Sequence, residues 1–196
     1  IPVHPRGAGS SLAGGPLGPG VVIDCSRFLR RILRTEGDEV RVQSGVVAAQ
    51  LEEHLGRRGR SLGVDPANGW VTTVGGMIGR NSSGSRFPRQ GTVGGRLVSA
   101  RVVLADGMIV ELAPTSPAPA PQDADASLGA DPHERMRRLA CDVAAVLTSS
   151  RDVITATQPA SRGTHGGYQL HAVLRTLDRE GIVDLPRLIC GSDGTL

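Results

Sequence analysis

The sequence contains no lysine; all 22 of its basic residues are arginine. That excludes a P-loop, whose Gly-x-x-x-x-Gly-Lys-Ser/Thr signature needs the ammonium group. Aromatic residues are 2% of the chain, so nucleic-acid bases would find little to stack on. The arginines are scattered apart from Arg30-Arg31, Arg57-Arg58-Arg60 and Arg135-Arg137-Arg138, and the net charge is only +3. Together these features argue against a nucleic-acid partner. The 3 cysteines, Cys25, Cys141 and Cys190, lie far apart with no Cys-x-x-Cys spacing, which excludes a cysteine metal site or a disulfide framework. They read as free thiols in a reducing compartment, so the expected location is the cytoplasm, with at most a peripheral place on a membrane. No stretch approaches the ~20 apolar residues that a membrane helix needs.

What the chain has in quantity is glycine, 27 residues. The densest run follows Ile1-Pro2-Val3, which reads as the tail of a strand. It comprises Arg6-Gly7-Ala8-Gly9-Ser10-Ser11 and continues through Gly14, Gly15, Gly18 and Gly20. A strand that breaks into glycines leaves backbone N–H groups free and lets them approach an anion closely. Ser10 and Ser11 add hydroxyl donors, and Arg6 adds a fixed positive charge. The run fits a diphosphate cradle; the same residues also fit an ordinary glycine-rich surface loop. A dinucleotide Rossmann turn is excluded, because Leu12 stands where that motif needs Gly or Ala and prolines 16 and 19 follow where it needs a helix.

Further along, Val21–Asp24 reads as a short buried strand. Ser26 reads as the cap of a helix bearing Phe28, Leu29, Ile32 and Leu33. Glu36-Gly37-Asp38 is a turn before a strand at Val40–Gln43, and a helix is predicted over Val46–Arg58. Gly75-Gly76 can open a helix whose first N–H groups face an anion or a polar ring edge, with Asn81, Ser82 and Ser83 beyond it. A tight turn and a closely packed small-residue helix account for the same stretch. Ala105-Asp106-Gly107 predicts a hairpin between Leu97–Leu104 and Met108–Leu112. Residues 113–130, rich in Pro, Ala, Asp and Ser, read as a disordered insertion. Asp131-Pro132 fits the start of a helix carrying Met136, Leu139, Ala140, Val143 and Leu147 on one face. Arg162–Leu170 is a polar glycine-rich loop, and Leu188-Ile189-Cys190 reads as a strand entering the turn Gly191–Leu196.

The order and wording of these stretches resemble the FAD-binding domain of the vanillyl-alcohol oxidase / p-cresol methylhydroxylase (PCMH-type) family, in its glycolate oxidase and D-lactate dehydrogenase-like branch. The residues that carry the resemblance are Pro5–Gly14, Asp65-Pro66, Thr73–Ile78 with Asn81–Gly84, Gly91-Thr92, Val102–Gly107, Gly167-Tyr168 with Leu170, and Gly191–Leu196. The resemblance implies an α+β fold: a small α/β lobe, drawn here as residues 1–64, and a second lobe with an antiparallel sheet and helices, residues 65–196. FAD would lie between them. A C-terminal cap domain bearing the catalytic residues would be missing, so the chain reads as a fragment without a catalytic base; none of His4, His54, His133, His165 or His171 is assigned that role.

By the same resemblance, Arg6, Gly7, Ala8, Gly9, Ser10 and Ser11 would wrap the FAD diphosphate. Asp65, Pro66, Thr72, Thr73, Val74, Gly75 and Gly76 would line flavin and diphosphate, with Asn81, Ser82 and Ser83 completing that wall. Gly91, Thr92 and Val102 would run beside the cofactor, and Gly191, Gly194 and Thr195 would return to it. Covalent relatives carry His after the first glycines; Ser10 stands there in this chain, which implies non-covalent FAD. The chain also departs from the family at Gln90, at Gly95-Arg96 and at Asp193, where Tyr, Asp-His and Glu are usual. The implied reaction is oxidation of a 2-hydroxy acid such as glycolate or D-lactate by hydride transfer to flavin N5. An iron–sulfur domain or subunit is a possible electron acceptor. The alternatives are another alcohol or lactone substrate on the same fold, or a non-catalytic flavin electron-transfer subunit.

Overall fold

The computed structural model describes residues 1–12, 14–117, 131–158 and 166–196. They form a mixed α and β chain that divides into two compact units. The first holds the described residues of Ile1–Arg96, Gly163–Gly167 and Cys190–Leu196; the second holds those of Leu97–Arg162 and Tyr168–Ile189. The packing boundary thus falls between Arg96 and Leu97, and the lobe boundary expected after residue 64 lies inside the first unit.

In the first unit, β1 (Val3–Arg6) pairs in parallel with β2 (Val21–Asp24), Val3 facing Val21 and Arg6 facing Asp24. The strand at Val21–Asp24 was expected to be buried. Instead Val21, Val22 and Ile23 are each 43–50% exposed, because β1 is the sole strand paired with it among the described residues. The next helix, α1 (Cys25–Phe28), is a single turn capped by Asp24, whose carboxylate accepts from Ser26 N–H and Ser26 Oγ. Asp24 rather than Ser26 is therefore the cap. The helix does not reach Ile32 and Leu33. Leu29 N–H closes the turn on Cys25 O, and Ile32 starts β3 (Ile32–Glu36), which pairs antiparallel with β4 (Glu39–Val42) across Gly37. Pairing with Val42 outweighs the weak local helix signal of a four-residue apolar set.

α2 (Ala48–Gly56) follows, with Leu51 and Leu55 on its buried face. α3 (Val74–Gly79), the single turn α4 (Phe87–Gln90) and a 3-10 turn at Val93–Gly95 complete the unit's helices among the described residues. Its core is two small apolar groups, Val46 with Leu51 and Leu55, and Ala48 with Val64, Met77 and Val93.

The second unit starts with the expected hairpin, β5 (Ala100–Val103) against β6 (Ile109–Leu112), turning at Gly107. Met108 N–H donates to Asp106 Oδ1 at 2.9 Å and locks the turn. Of the stretch expected to be disordered, Pro114–Thr115 instead forms β7, and residues 118–130 lie outside the described residues. α5 (Pro132–Ser149) begins as expected, Asp131 accepting from His133 N–H. α6 (Arg151–Ala156) and α7 (Leu170–Glu180) follow. α7 places Leu170 in a helix rather than a loop. Leu170, Val173, Leu174 and Leu177 make its apolar stripe, and left-handed Gly181 ends it. β8 (Val183–Asp184) pairs with β7, and α8 (Leu185–Ile189) occupies the place where a strand was expected. Arg187 N–H donates to Asp184 Oδ1 at 3.0 Å, which fastens that helix's first turn. The core of this unit gathers Val110, Leu112, Ala140, Leu147, Val173, Val183 and Leu185 from both hairpin and helices.

Leu147 is 2% exposed and its neighbour Val146 is 63% exposed. Leu147→Ala is expected to cost about 2–5 kcal/mol of stability in urea unfolding. Val146→Ala, on the solvent side of the same turn, is expected to stay within about 0.5 kcal/mol of the parent.

Candidate functional site

All of the expected site residues except Val102 lie in the first unit, and Thr73 joins two of their stretches. This side chain is 2% exposed and caps α3, its Oγ1 accepting from Gly76 N–H at 3.2 Å. Gly7 rests directly on it: a Cβ at position 7 would stand 2.2 Å from Thr73 Oγ1. Only glycine lets the chain leaving β1 approach that closely. Gly9 takes φ +69 and has the Arg6 guanidinium beneath it, 2.9 Å from where a Cβ would be. Among the described residues, the backbone N–H groups from Gly7 to Ser11 meet no acceptor. Ser11 Oγ accepts from Arg80 Nη1 at 3.1 Å. The result is a run of free donors beside guanidinium charge, the chemistry of a phosphate or diphosphate cradle.

α3 does not supply the free donors expected of it. Val74 N–H donates to Val46 O at 2.8 Å, Gly75 N–H to Ser44 O at 2.7 Å, and Gly76 N–H to Thr73. The preceding Ser44–Val46 segment runs alongside the helix start and saturates it. Gly75 serves that packing, since a Cβ there would lie 2.9 Å from Ser44 Cβ. Asn81 is likewise committed. It is 4% exposed, holds φ +48, and accepts from Gly94 N–H through Oδ1 at 3.0 Å. Ser82 O accepts from Val93 N–H at 2.8 Å, which ties the same turn to the Gly91-Thr92 stretch. Among the described residues the Ser83 side chain has no hydrogen-bond partner, and Thr72 O accepts from Ala48 N–H.

Asp65 organises the turn at Gly84. It accepts from Ser85 Oγ at 2.6 Å and from Arg86 N–H at 3.3 Å, and a Cβ on Gly84 would stand 2.1 Å from its Oδ1. The Ser85 hydroxyl chiefly, then the Arg86 N–H and guanidinium, hold its pKa below the usual carboxylate range, with partial desolvation opposing them. Pro66 O accepts from Gly69 N–H at 2.9 Å.

The closing turn joins the same unit. Gly191 N–H donates to Ile78 O at 3.1 Å and Asp193 N–H to Gly79 O at 2.8 Å. Gly194 packs on Gly15, where a Cβ would meet its Cα at 2.8 Å. Thr195 Oγ1 donates to Ser192 O at 2.7 Å. Val102 is the exception among the expected residues, since it packs on the core of the second unit. Ser44 and Arg80 are the participants that sequence reasoning missed; both are recruited by tertiary contact. A groove of about 700 Å³ along α5, lined by Arg135, Arg138, Cys141 and Asp142 among others, contains none of the expected residues. Among the described residues no group of His, Cys, Asp and Glu could hold a metal ion, and no helix is long and apolar enough to cross a membrane.

A family described as FAD binding domain matches residues 1–113. The chain is 31% identical over 194 residues to D-2-hydroxyglutarate dehydrogenase of Pantoea ananatis, covering 98% of this chain and 18% of that protein. It is 38% identical over 117 residues to the mitochondrial D-lactate dehydrogenase [cytochrome] of Kluyveromyces lactis, covering 57% of this chain and 20% of that one. A solved structure of alkyldihydroxyacetonephosphate synthase superposes with a TM-score of 0.50 at 30% identity, covering 56% of this chain and 23% of that one. The chain thus spans about a fifth of the length of the curated relatives it matches.

Because the folded-state pKa of Asp65 is depressed, its contribution to stability is present above the unfolded carboxylate value and is lost as pH falls through the folded one. An NMR pH titration should find Asp65 protonating below the ordinary aspartate range, and Ser85→Ala should return it toward that range. The Thr73 cap is tested separately: Thr73→Ala should cost about 1 kcal/mol or more, and Thr73→Ser should recover most of it in urea unfolding.

Proposed function

The chain belongs to the FAD binding domain family, and on that premise we propose that it is the FAD-holding part of a dehydrogenase that oxidises a D-2-hydroxy acid. The observation that carries the reading is the run of unpartnered backbone donors from Gly7 to Ser11. A diphosphate needs dense donors and close approach, and this run offers both, with no Cβ at 7 or 9 and the Arg6 charge against it. When bound, FAD supplies the two-electron acceptor that such an oxidation requires.

The chain's own part is to bind and orient. Arg6 to Ser11 hold the diphosphate. Gly75, Gly76, Gly191 and Gly194 keep side chains away from the cofactor wall, while Asp65, Pro66, Thr72, Val74, Ser82, Ser83, Gly91, Thr92 and Thr195 shape its backbone. Asn81 acts by pinning the turn to Gly94 rather than through a free amide. The cofactor is held without a covalent bond: Ser10 stands in the loop, and His4 is turned onto Pro19 O at 3.1 Å. His54 is engaged with Thr35, and His165 lies outside the described residues. No histidine described here is assigned as a base. The substrate class rests on the D-2-hydroxyglutarate and D-lactate dehydrogenase relatives. The similarity to alkyldihydroxyacetonephosphate synthase favours a second reading, the same cradle serving a different substrate.

The full-length protein should purify with a flavin absorption band that acid precipitation releases into solution. Anaerobic D-lactate or D-2-hydroxyglutarate should bleach that band; a band that neither acid bleaches would favour the second reading. Protein that is folded yet takes up no FAD would overturn the proposal. Gly7→Ala should weaken FAD binding by about tenfold or more, roughly 1.4 kcal/mol. Gly79→Ala, where a Cβ meets open space, should leave affinity within about twofold.

A further inference from the structure

The cradle holds one more charged group than the FAD reading used. Arg80 closes the C-terminal end of α3, its backbone N–H fixed to Gly76 O at 3.1 Å. From that anchored point its side chain crosses to a stretch 69 residues earlier and donates from Nη1 to Ser11 Oγ at 3.1 Å. Several arginines of the same unit pair with carboxylates, as in Arg57–Glu53, Arg60–Asp38 and Arg86–Asp65, while Arg58 and Arg96 donate to neutral oxygens of His54 and Gln90. Among the described residues neither Arg80 nor Arg6 has a carboxylate within ion-pair distance. Asp24, the strand partner of Arg6, turns its carboxylate to Ser26 instead.

Two guanidinium groups with no carboxylate at contact distance therefore touch the same loop, Arg6 under Gly9 and Arg80 on Ser11, Asp24 acting on Arg6 only at longer range, and the backbone N–H groups of the loop between them meet no acceptor. The free backbone N–H groups are donors, and both charges beside them are positive. Guanidinium is suited to this, because its planar fork of N–H donors binds phosphate oxygens in pairs and stays charged at any physiological pH. We propose that Arg80 is a cofactor-binding residue, paired with Arg6 across the Gly7–Ser11 amides, and that it carries one of the two positive charges that bind the FAD diphosphate. The inference rests on the FAD reading above and adds to it a residue and a charge balance: a diphosphate dianion is matched by Arg6 and Arg80. Ser11 is then the seat that holds Arg80 in place before the ligand arrives.

The test uses full-length protein freed of flavin and titrated with FAD, with ADP and with riboflavin, which lacks phosphate. Arg80→Gln should weaken FAD and ADP binding about tenfold or more, leave riboflavin binding unchanged, and flatten the salt dependence of FAD affinity. Arg80→Lys should recover part of the loss. The Arg80 side chain is exposed, so the flavin-free Tm should not move. If Arg80→Gln nevertheless fails to fold, Ser11→Ala removes the seat without removing the charge and should reduce affinity for the phosphate-bearing ligands alone. Unchanged FAD affinity in Arg80→Gln, or a loss shared equally by riboflavin, would overturn the role of Arg80 while leaving the FAD reading intact. Wild-type protein that binds none of the three would count against the FAD reading itself.

Discussion

The contact between Gly7 and Thr73 is the constraint on which the first unit depends. The missing Cβ at position 7 allows the chain leaving β1 to lie on a buried threonine hydroxyl. That hydroxyl is already the cap of α3, so one oxygen fixes both the helix start and the loop above it. Moving either element would uncap the helix or lift the loop. The free donors of the loop are thus presented by a buried, internally bonded base rather than by a mobile surface segment.

Donor supply is divided by neighbours. α3 opens on glycines, yet Ser44, Val46 and Thr73 take its first N–H groups. The glycine run after β1 has no such neighbour and keeps its donors. Two stretches with similar glycine content therefore differ in chemistry: one is packing, the other is available for an anion. Asn81 follows the first pattern, since burial forces its carbonyl oxygen to find a partner, and Gly94 N–H is the one it meets. Asp65 does the same for the Gly84 turn through Ser85 and Arg86.

The two units are built on different scales. The second has a continuous core drawn from a hairpin and several helices. The first has small apolar groups and a parallel pair, β1 and β2, whose valines and isoleucine remain about half exposed. Its order comes instead from backbone contacts at glycines, at Gly7 on Thr73, Gly84 on Asp65 and Gly194 on Gly15. Such contacts are short and directional, and each tolerates little change at a single position.

Local chemistry alone determined a good part of this. The hairpin at Asp106-Gly107, the cap at Asp131-Pro132, the apolar stripe of α5 and the donor-rich run after Arg6 were legible, because each depends on residues close in sequence. The motifs, taken in order, also pointed to the FAD-binding family. What tertiary structure decided was everything that needs a distant partner. Ile32 became a strand by pairing with Val42, and Pro114-Thr115 by pairing with Val183-Asp184. α7 has a legible stripe and a terminal glycine, yet only its first residue, Leu170, was given a reading, as the end of the glycine-rich loop before it. The donors of Gly75 and Gly76 were used up by Ser44 and Thr73, and Arg80 was brought to Ser11 across the unit. Sequence specifies which groups can donate; whether a donor is free or satisfied depends on which acceptor the fold sets within 3 Å or so of it, and spacing along the chain carries no record of that.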